Sequence, residues 1–413
     1  MCAKCKLMCG KIAAVLLWTL VLFTSAATAF ERSGLLEIHY INVGQGGSTL
    51  IVGPDGTRIL YDFGNVGRGD NIGEYLKNQV GLEPEDGIHF TFVSHRDADH
   101  YGGYVDVIEA GYDILIANFD SGSDKVATAR MKKVWLTPAA DTTAGEVMRV
   151  PVGLRIPIGD GAEVLVVAAN GKVLGVDDDD LPFARNENDR SIALYVKYKD
   201  FDYVLDGDLG DGEDDCTDRD TSQKKLQTPV ARVLQNLDNG ITKENGIDVL
   251  HIAHHGSESS TSSGYYSILR PEVGLISVGL NQGTFRHPRV DVVEGVLLAG
   301  THRKSCVEAN PLLALFQTDY GKKGSSATGE TSFMGMPIGD IKLTTDGVTD
   351  YKINGTGRLE NDDDVACQPT SDGGWTFTLP EAVHSESEKS INQLCLEDQA
   401  ICQCVLSPAG VSD

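Results

Sequence analysis

The sequence is poor in positive charge. Its 413 residues include 35 lysines and arginines against 60 aspartates and glutamates, a formal net charge of −25 at pH 7. Proteins that grip long duplex DNA present a basic surface, because neutralising the phosphates supplies most of their affinity. A field of the opposite sign repels a polyanion. The composition therefore argues against a protein that holds long duplex DNA tightly.

Several other patterns are missing from the sequence. It contains no internal repeat, which argues against a solenoid or repeat array. It contains no Gly-x-Ser-x-Gly elbow, so an activated serine nucleophile is not indicated. After the N-terminal segment, no apolar run is long enough to cross a bilayer.

The N-terminal segment has the pattern of an export signal. Three lysines precede an apolar core at residues 12–23, and the small residues 27–29 offer a cleavage site. We expect residues 1–29 to be removed, leaving a secreted or periplasmic protein with no stable membrane association. The alternative is an uncleaved segment that anchors the protein in a membrane, because the apolar stretch approaches spanning length.

Without that segment, six of the nine cysteines remain. An even number of cysteines in an exported chain favours disulfides, although their pairing cannot be deduced. Four of the six follow residue 355, in a stretch rich in Asp, Ser and Glu. We expect residues 30–355 to form the main domain and residues 356–413 an acidic, cysteine-containing appendage, with a disordered tail as the alternative. The six cysteines are Cys216, Cys306, Cys367, Cys395, Cys402 and Cys404.

Histidine is also scarce, and half of the ten histidines lie in two segments, residues 95–100 and 251–255. The first segment, His-Arg-Asp-Ala-Asp-His, follows an apolar run that predicts a buried strand and precedes a Gly-Gly turn. In an extended chain, His95, Asp97 and Asp99 share one side, and the turn brings in the histidine that follows. Imidazole and carboxylate groups clustered in this way predict a divalent metal site. The alternative is a solvated acidic loop.

Other polar groups also stand where apolar runs end. Residues 203–205 lead into Asp206-Gly207-Asp208, residues 247–252 lead into the second histidine segment, and His287-Pro288 follows residues 274–278. A layered α/β domain gathers its active site at the ends of its strands. The pattern therefore predicts one site assembled from distant parts of the chain.

In this order, the motifs resemble those of the metallo-β-lactamase fold. More narrowly, residues 35–353 are similar to the hydrolase domain of DNA-uptake competence proteins (ComEC-like), here as a secreted stand-alone domain. The resemblance implies an α/β fold, the αββα four-layer sandwich, with two metals in a cleft between the sheets. The motifs are Asn42-Val43-Gly44-Gln45-Gly46-Gly47-Ser48, Asp62-Phe63-Gly64, Ser94 to His100, Asn188-Asp189-Arg190-Ser191, Gly207-Asp208, His254-His255-Gly256-Ser257 and His287-Pro288.

The resemblance also implies which residues bind the two metals. On that mapping, His95 and Asp97 would hold one ion, and Asp208 would bridge it to a second ion held by the remaining ligands. The six implied ligands are His95, Asp97, Asp99, His100, Asp208 and His255.

The candidate catalytic residues are Asp99, His254 and His287. The two histidines would face the substrate or support the ligands, where an imidazole can orient a group or move a proton.

The chain departs from the wider fold at two points. No histidine occurs between His100 and Asp208, so Asn188, Asp189 or a water would replace a further ligand. Asp97 stands where a histidine is commoner, and an oxygen-richer site shifts the preference from zinc towards manganese or magnesium. Zinc and manganese are thus both candidates for the two ions. If one site is empty, we expect it to be that of His95 and Asp97.

These features predict a secreted metal-dependent hydrolase that uses a metal-activated water. Paired metals lower the pKa of a bound water and stabilise charge on the attacked centre. We expect a phosphodiester substrate, short or single-stranded nucleic acid, because local cations would offset the acidic field over only a few nucleotides. Alternatives are hydrolysis of a lactone, lactam or thioester, and a non-catalytic metal-binding protein; the oligomeric state stays open. The local cations are Arg96, Arg185, Arg190, Arg286 and Arg289.

Overall fold

The computed structural model describes most of the chain between residues 30 and 360 and short segments beyond it. Within the described ranges, no helix is both long and apolar enough to span a bilayer. The predicted export signal lies outside these ranges, as does much of the predicted C-terminal appendage. The described residues are 30, 32–211, 223–237, 246–280, 285–298, 312–322, 325–326, 329–360, 367–369, 374–379, 390–392 and 402–403.

The described chain forms short strands and shorter helices. The strands of the first half are β1 Leu36–Tyr40, β2 Thr49–Val52, β3 Arg58–Tyr61, β4 Ile88–Val93, β5 Ile114–Asp120, β6 Met148–Arg149, β7 Arg155–Gly159, β8 Ala162–Ala169, β9 Lys172–Val173, β10 Ala193–Tyr198 and β11 Phe201–Leu205. Those of the second half are β12 Val249–His251, β13 Val273–Ile276, β14 Ala314–Gln317, β15 Ser325–Ser326, β16 Gly329–Glu330, β17 Met336–Pro337, β18 Ile341–Thr345, β19 Asp350–Gly355, β20 Gln368–Pro369, β21 Trp375–Thr378 and β22 Cys402–Gln403.

Helices connect these strands. The α-helices are α1 Gly69–Tyr75, α2 Ala98–Tyr101, α3 Tyr104–Glu109, α4 Ala129–Met131, α5 Thr137–Ala140, α6 Gln227–Leu234, α7 Ser263–Leu269 and α8 Val290–Val292. Short 3-10 or π-helical turns span Leu76–Val80, Pro84–Asp86, Lys132–Leu136, Asp178–Asp180, Asn188–Arg190, His254–Gly256 and Val293–Leu297.

The strands form two large sheets. In the first, the order is β21-β19-β18-β1-β2-β3-β4-β5-β6; in the second it is β17-β14-β13-β12-β11-β10-β8-β7, with β9 paired to β8. Strands β3 to β6 run parallel in the first sheet, and β11 to β14 and β17 run parallel in the second. Parallel strands need a crossover, and the helices supply it.

Side chains of each sheet alternate between two apolar layers, because successive residues of a strand face opposite sides. Ile38 and Ile59 of the first sheet share one core with Val249 and Leu275 of the second, so this core lies between the sheets. Two further cores cover the outer faces: one joins the first sheet to α1 and α3, and the other joins the second sheet to α6 and α7. The layers therefore follow the order helix, sheet, sheet, helix, and the predicted α/β αββα sandwich is confirmed.

Part of the predicted appendage contributes to the first sheet. Strand β21 pairs antiparallel with β19, and Trp375 packs into the core between the sheets. Cys367 is buried and disulfide-bonded. The domain boundary near residue 355 stays a prediction, as does the pairing of the other cysteines.

Candidate metal centre

The candidate site lies at one end of both sheets, where parallel strands finish. Asp62 follows β3, His95 follows β4, Asp208 follows β11, and His255 follows β12. The carboxyl ends of parallel strands share an edge, which is where layered α/β proteins place ligands. The two sheets thus bring together residues that are more than a hundred positions apart in sequence.

Unusual backbone conformations turn the chain into the site. Asp62, His254 and His255 all have left-handed φ values, of 62°, 52° and 55°. Non-glycine residues adopt this region at a cost, and such residues cluster at functional sites. Gly207, with φ of 54°, approaches β3 so closely that a Cβ there would lie 2.8 Å from the Tyr61 hydroxyl.

Four imidazoles surround one carboxylate oxygen. The Oδ2 atom of Asp208 lies 3.3 Å from Nε2 of His100, 3.7 Å from Nε2 of His254, 3.8 Å from Nε2 of His255 and 3.9 Å from Nε2 of His95. Asp208 is itself buried. A buried carboxylate among imidazoles is a donor set that can hold a divalent cation.

Hydrogen bonds at the far ring nitrogens orient three of these imidazoles. Nδ1 of His100 donates to Oδ2 of Asp62 at 2.7 Å, and Nδ1 of His255 donates to the Ser277 carbonyl at 2.8 Å. The Ser94 hydroxyl donates to Asp62, so it is left to accept from Nδ1 of His95 at 3.0 Å. Each bond places the proton on Nδ1 and leaves the Nε2 lone pair directed into the site.

These lone pairs meet the requirement for binding a metal ion. Among the described residues, Nε2 of His95, His100 and His255 is buried without a hydrogen bond. A buried nitrogen without a partner is costly unless another ligand satisfies it. Two groups of donor atoms lie within ion-binding reach of one another: His95, His100 and Asp208 form one, and Asp99, His100 and His255 form the other. The donor set fits a divalent cation.

Asp97 lies at the edge of this arrangement. Its Oδ2 lies 3.6 Å from Nε2 of His95, but its Oδ1 binds Nζ of Lys125 at 2.8 Å, and its side chain is 40% exposed. Asp97 belongs to neither donor group, whereas the other five predicted ligands do. Its assignment as a ligand stays a prediction.

The predicted catalytic residues lie beside the same group of histidines. Oδ2 of Asp99 lies 3.6 Å from Nε2 of His255. The ring of His254 lies 5.5 Å from that of His287, centre to centre, and Nδ1 of His254 lies 2.9 Å from both Gln223 and Ser259 side chains. The remaining histidine of segment 251–255, His251, points to a different partner: its Nδ1 atom lies 3.1 Å from Oδ1 of Asp206.

Asn188 and Asp189, the two candidate replacements for the missing histidine ligand, differ in their distance from the site. The Nδ2 atom of Asn188 lies 3.2 Å from Nε2 of His254, so Asn188 borders the site. Asp189 is buried and accepts backbone hydrogen bonds from Arg185 and Lys224, at 2.7 and 2.8 Å. Asp189 therefore holds two loops together through the oxygens that a metal would need.

The charges in the site shift the pKa values of its members. Burial alone would raise the pKa of Asp208, but neighbouring imidazoles, His100 foremost, outweigh burial and hold it well below its usual range. Burial also opposes protonation of His100, but two neighbouring carboxylates outweigh it and raise the His100 pKa. At His287, burial prevails and lowers the pKa. The carboxylates therefore favour positive charge at the centre, either a proton on His100 or a bound cation, whereas burial disfavours charge on His287.

Most of the arginines expected near the site are paired with acids. Arg96 binds Asp120 at 2.6 Å, Arg190 lies 3.7 Å from Glu187, and Arg289 lies 3.0 Å from Glu258. Arg185 is exposed, and Arg286 is half-buried. The positive charge offered to a polyanion is therefore smaller than the sequence suggested.

The roles of two supporting residues, Ser191 and Asp206, were not predicted. Ser191 accepts a hydrogen bond from the Asp208 backbone at 3.2 Å and lies 3.3 Å from Nδ1 of His95. Asp206 is buried and accepts from Gln227 and Tyr265. Ser191 ends one of the quoted motifs, and Asp206 lies at a predicted strand end, but neither sequence position indicates which atoms the side chain would contact.

No protein-family model matches the chain. Among curated proteins, it is similar to Recombination protein 2 of Haemophilus influenzae, with 27% identity over 279 residues. That match includes 66% of this chain and 27% of the relative, so the chain spans only about a quarter of the relative's length.

The chain is also similar to solved structures, two of which are described as a metallo-β-lactamase or a protein of that fold. YhfI of Bacillus subtilis, a metallo-β-lactamase fold protein, is 10% identical, with 58% of this chain and 85% of that chain covered and a TM-score of 0.34. MEM-A1, a subclass B3 metallo-β-lactamase from a soil metagenome library, is 15% identical, with 55% and 78% covered and a TM-score of 0.30.

Proposed function

We propose that the chain is a metal-dependent phosphodiesterase that acts on short or single-stranded nucleic acid. The observation that carries this proposal is the buried oxygen of Asp208 among four imidazoles, three of which have no hydrogen bond at Nε2 within the described chain. Buried lone pairs that converge on a carboxylate are suited to hold cations.

The proposed centre holds two ions, with zinc and manganese as the candidates. His95 would hold one ion, and Asp99 and His255 the other. His100 belongs to both donor groups, and Asp208, whose Oδ2 lies 3.8 Å from Nε2 of His255, would be shared between the ions. When bound, such ions lower the pKa of a water and neutralise charge on the attacked group.

The chain's own residues do the remaining work. His254 and His287 form one wall of the site, and Asn188 and Gln223 fix the position of His254. A diester bound against this wall is oriented by imidazole and amide groups.

A short or single-stranded substrate fits the charge of the molecule. The net charge is −25, and three of the five arginines near the site are engaged by acids. Affinity for a long polyanion needs many phosphate contacts. A relative named for recombination is in keeping with a nucleic-acid substrate. We further propose that the enzyme works outside the cytoplasm, on the basis of the export pattern at residues 1–29.

The test is a parallel assay of the metal-loaded protein on different bonds. We expect hydrolysis of bis-p-nitrophenyl phosphate and single-stranded DNA, and none of nitrocefin or a lactone. His100→Ala should abolish turnover while the circular dichroism spectrum is retained. His89→Ala is the matched control, because His89 lies at the opposite end of β4 and contacts the Arg58 backbone.

Each other outcome contradicts the proposal in a different way. Lactone or nitrocefin turnover without diester cleavage would assign the site to another bond. Tight metal binding without any turnover would favour a metal-binding protein. Equal losses in His100→Ala and His89→Ala would place the activity elsewhere.

A further inference from the structure

A row of rings leads from the surface to the proposed centre. The ring of Phe285 stacks on that of His287, with centroids 5.7 Å apart and planes inclined by 13°. The His287 ring in turn lies 5.5 Å from the ring of His254 and 6.3 Å from that of His255. Phe285 is thus separated from the proposed centre by one imidazole.

Exposure changes sharply along this row. His287 is 4% exposed, whereas Phe285, two positions before it, is 61% exposed. One face of the Phe285 ring covers the imidazole, and most of the side chain remains open to solvent. The ring face that does not cover His287 is therefore open to a flat ligand from solution.

The geometry points to Phe285 as a stacking platform for a nucleobase of the bound substrate. This inference rests on the proposed phosphodiester substrate and adds what recognises its organic part. Aromatic rings stack on bases without regard to sequence, because every base offers a flat π face. A base on Phe285 would place the adjoining phosphate towards His254 and the metal ligands.

A base fits this surface better than a lipid does. Interfacial binding needs a sizeable apolar area or a cluster of cations. In the part of the chain that the structure describes, exposed large apolar side chains are few and lie on separate segments. A single flat ring beside a buried site matches a planar ligand. These side chains are Val66, Ile116, Val126, Met148, Phe183, Phe285 and Val348.

The test compares two substrates that differ only in their bases: pentathymidylate, and a pentamer of the same backbone with abasic residues. Phe285→Leu keeps apolar volume but removes the ring. We expect it to raise KM for pentathymidylate about five- to tenfold, the lower part of the range for stacking one base, with kcat little changed. Cleavage of the abasic pentamer should be unaffected, and Phe285→Trp should restore the low KM.

Phe183→Leu is the matched control, because Phe183 is 83% exposed and lies in a different loop. An equal effect of Phe285→Leu on both pentamers, or an equal loss in Phe183→Leu, would overturn the inference. Loss of sedimentation with phosphatidylglycerol vesicles, without any change in base preference, would overturn it in favour of a lipid contact.

A second readout separates this inference from the proposed activity. In chelator-treated Phe285→Trp, pentathymidylate should quench the added tryptophan fluorescence and the abasic pentamer should not. Quenching together with no cleavage of any diester by the wild type would contradict the phosphodiesterase and support the platform. Diester cleavage by the wild type without quenching in Phe285→Trp would support the phosphodiesterase and contradict the stacking platform.

Discussion

At the residue scale, the proposed centre depends on hydrogen bonds made on the side of each imidazole that faces away from it. Asp62 is the focus of these bonds: it accepts from the Ser94 backbone, the Ser94 hydroxyl and Nδ1 of His100, each at 2.7 Å. Its left-handed backbone, with φ of 62°, brings the carboxylate beneath the site. Asp62 would therefore act on a bound metal through His100 and Ser94.

We predict that Asp62→Asn weakens metal binding without removing a ligand. An amide keeps the size of the side chain but loses the charge that fixes the His100 tautomer. The loss in metal affinity should be about 10- to 100-fold, as for other residues that support metal ligands. Competition titration with a metal-binding dye measures it. Asp70→Asn, at an exposed position of α1, should leave the affinity unchanged; unchanged affinity in Asp62→Asn would contradict the role given to Asp62.

The sequence predicted much of this residue set, but not its contacts. The spacing of residues 95–100 at a strand end was sufficient to propose a metal cluster, and five of the six ligands that the family resemblance implies lie in the two donor groups. The diversion of Asp97 could not be predicted, because Lys125 belongs to a loop after a different strand. The left-handed backbone conformation of His254 and His255 could not be predicted either, since neither position is a glycine.

At the scale of elements, the loop between β1 and β2 supports the metal-binding loop. Gly46 has φ of 131°, and a Cβ there would lie 2.4 Å from the Asp99 carbonyl oxygen. The neighbouring Gly47 backbone donates to that same oxygen at 3.3 Å. Only glycine permits this approach, so the loop and the Asp99 backbone constrain each other.

We predict that Gly46→Ala destabilises the protein more than a strained backbone alone would. The matched control is Gly67→Ala: Gly67 also has a positive φ, of 78°, but a Cβ there meets nothing within 4 Å. Gly46→Ala should cost at least about 1 kcal/mol more in the free energy of unfolding, as measured by urea titration. Equal costs would show that the close approach to Asp99 is unimportant.

A second element-scale feature is a charged cluster across β1 and β18. Glu37 receives hydrogen bonds from His39 at 3.2 Å and Lys342 at 2.8 Å. Burial alone would raise the pKa of Glu37, but these partners outweigh burial and lower it to about 2. A lowered folded-state pKa stabilises the fold above the unfolded value near 4.5 and loses that effect as the pH falls towards 2.

We therefore predict that Glu37→Gln flattens the acid limb of the stability curve. Between pH 5 and pH 2 the wild type should lose about 3 kcal/mol more unfolding free energy than the variant, from about 1.36 kcal/mol per pKa unit. Urea titrations across this range provide the measurement. Glu109→Gln, at an exposed helix position, should follow the wild type. Parallel curves for Glu37→Gln and wild type would contradict the prediction.

The apolar runs of the sequence predicted where the strands lie better than which strands pair with each other. Residues 90–93, 203–205 and 274–278 fall largely within β4, β11 and β13, because short apolar runs near turn residues are typical of buried strands. Partner and direction depend on distant contacts that a run does not contain. Strand β21 shows this limit, since its four residues stand among polar neighbours and pair with β19 only through the fold.

At the scale of the whole molecule, the negative field and the proposed anionic substrate oppose each other. The net charge of −25 repels a polyanion in proportion to the substrate's length, while the proposed centre attracts one diester. Salt shortens the reach of this field, with a Debye length of about 30 Å at 0.01 M and about 8 Å at 0.15 M.

We predict that kcat/KM per diester falls as oligothymidylates lengthen at low salt, and that added salt reduces this fall. Repulsion between like charges is the reason, so a short diester with a single negative charge, such as bis-p-nitrophenyl phosphate, should show little salt dependence. Steady-state kinetics on short and long oligomers at two ionic strengths tests it. A steep loss of activity with salt, as for a protein with a basic track, would contradict the acidic-field argument.

The most direct test of the central claim is diester hydrolysis during metal removal and restoration. The chelator-treated protein should cleave no bis-p-nitrophenyl phosphate, and activity should return with added zinc or manganese until two ions are bound per chain. Asp208→Asn should neither bind the second ion nor recover, whereas Asp70→Asn should behave as the wild type. Hydrolysis that persists after the metal is removed, or full recovery in Asp208→Asn, would contradict a hydrolytic centre built around Asp208.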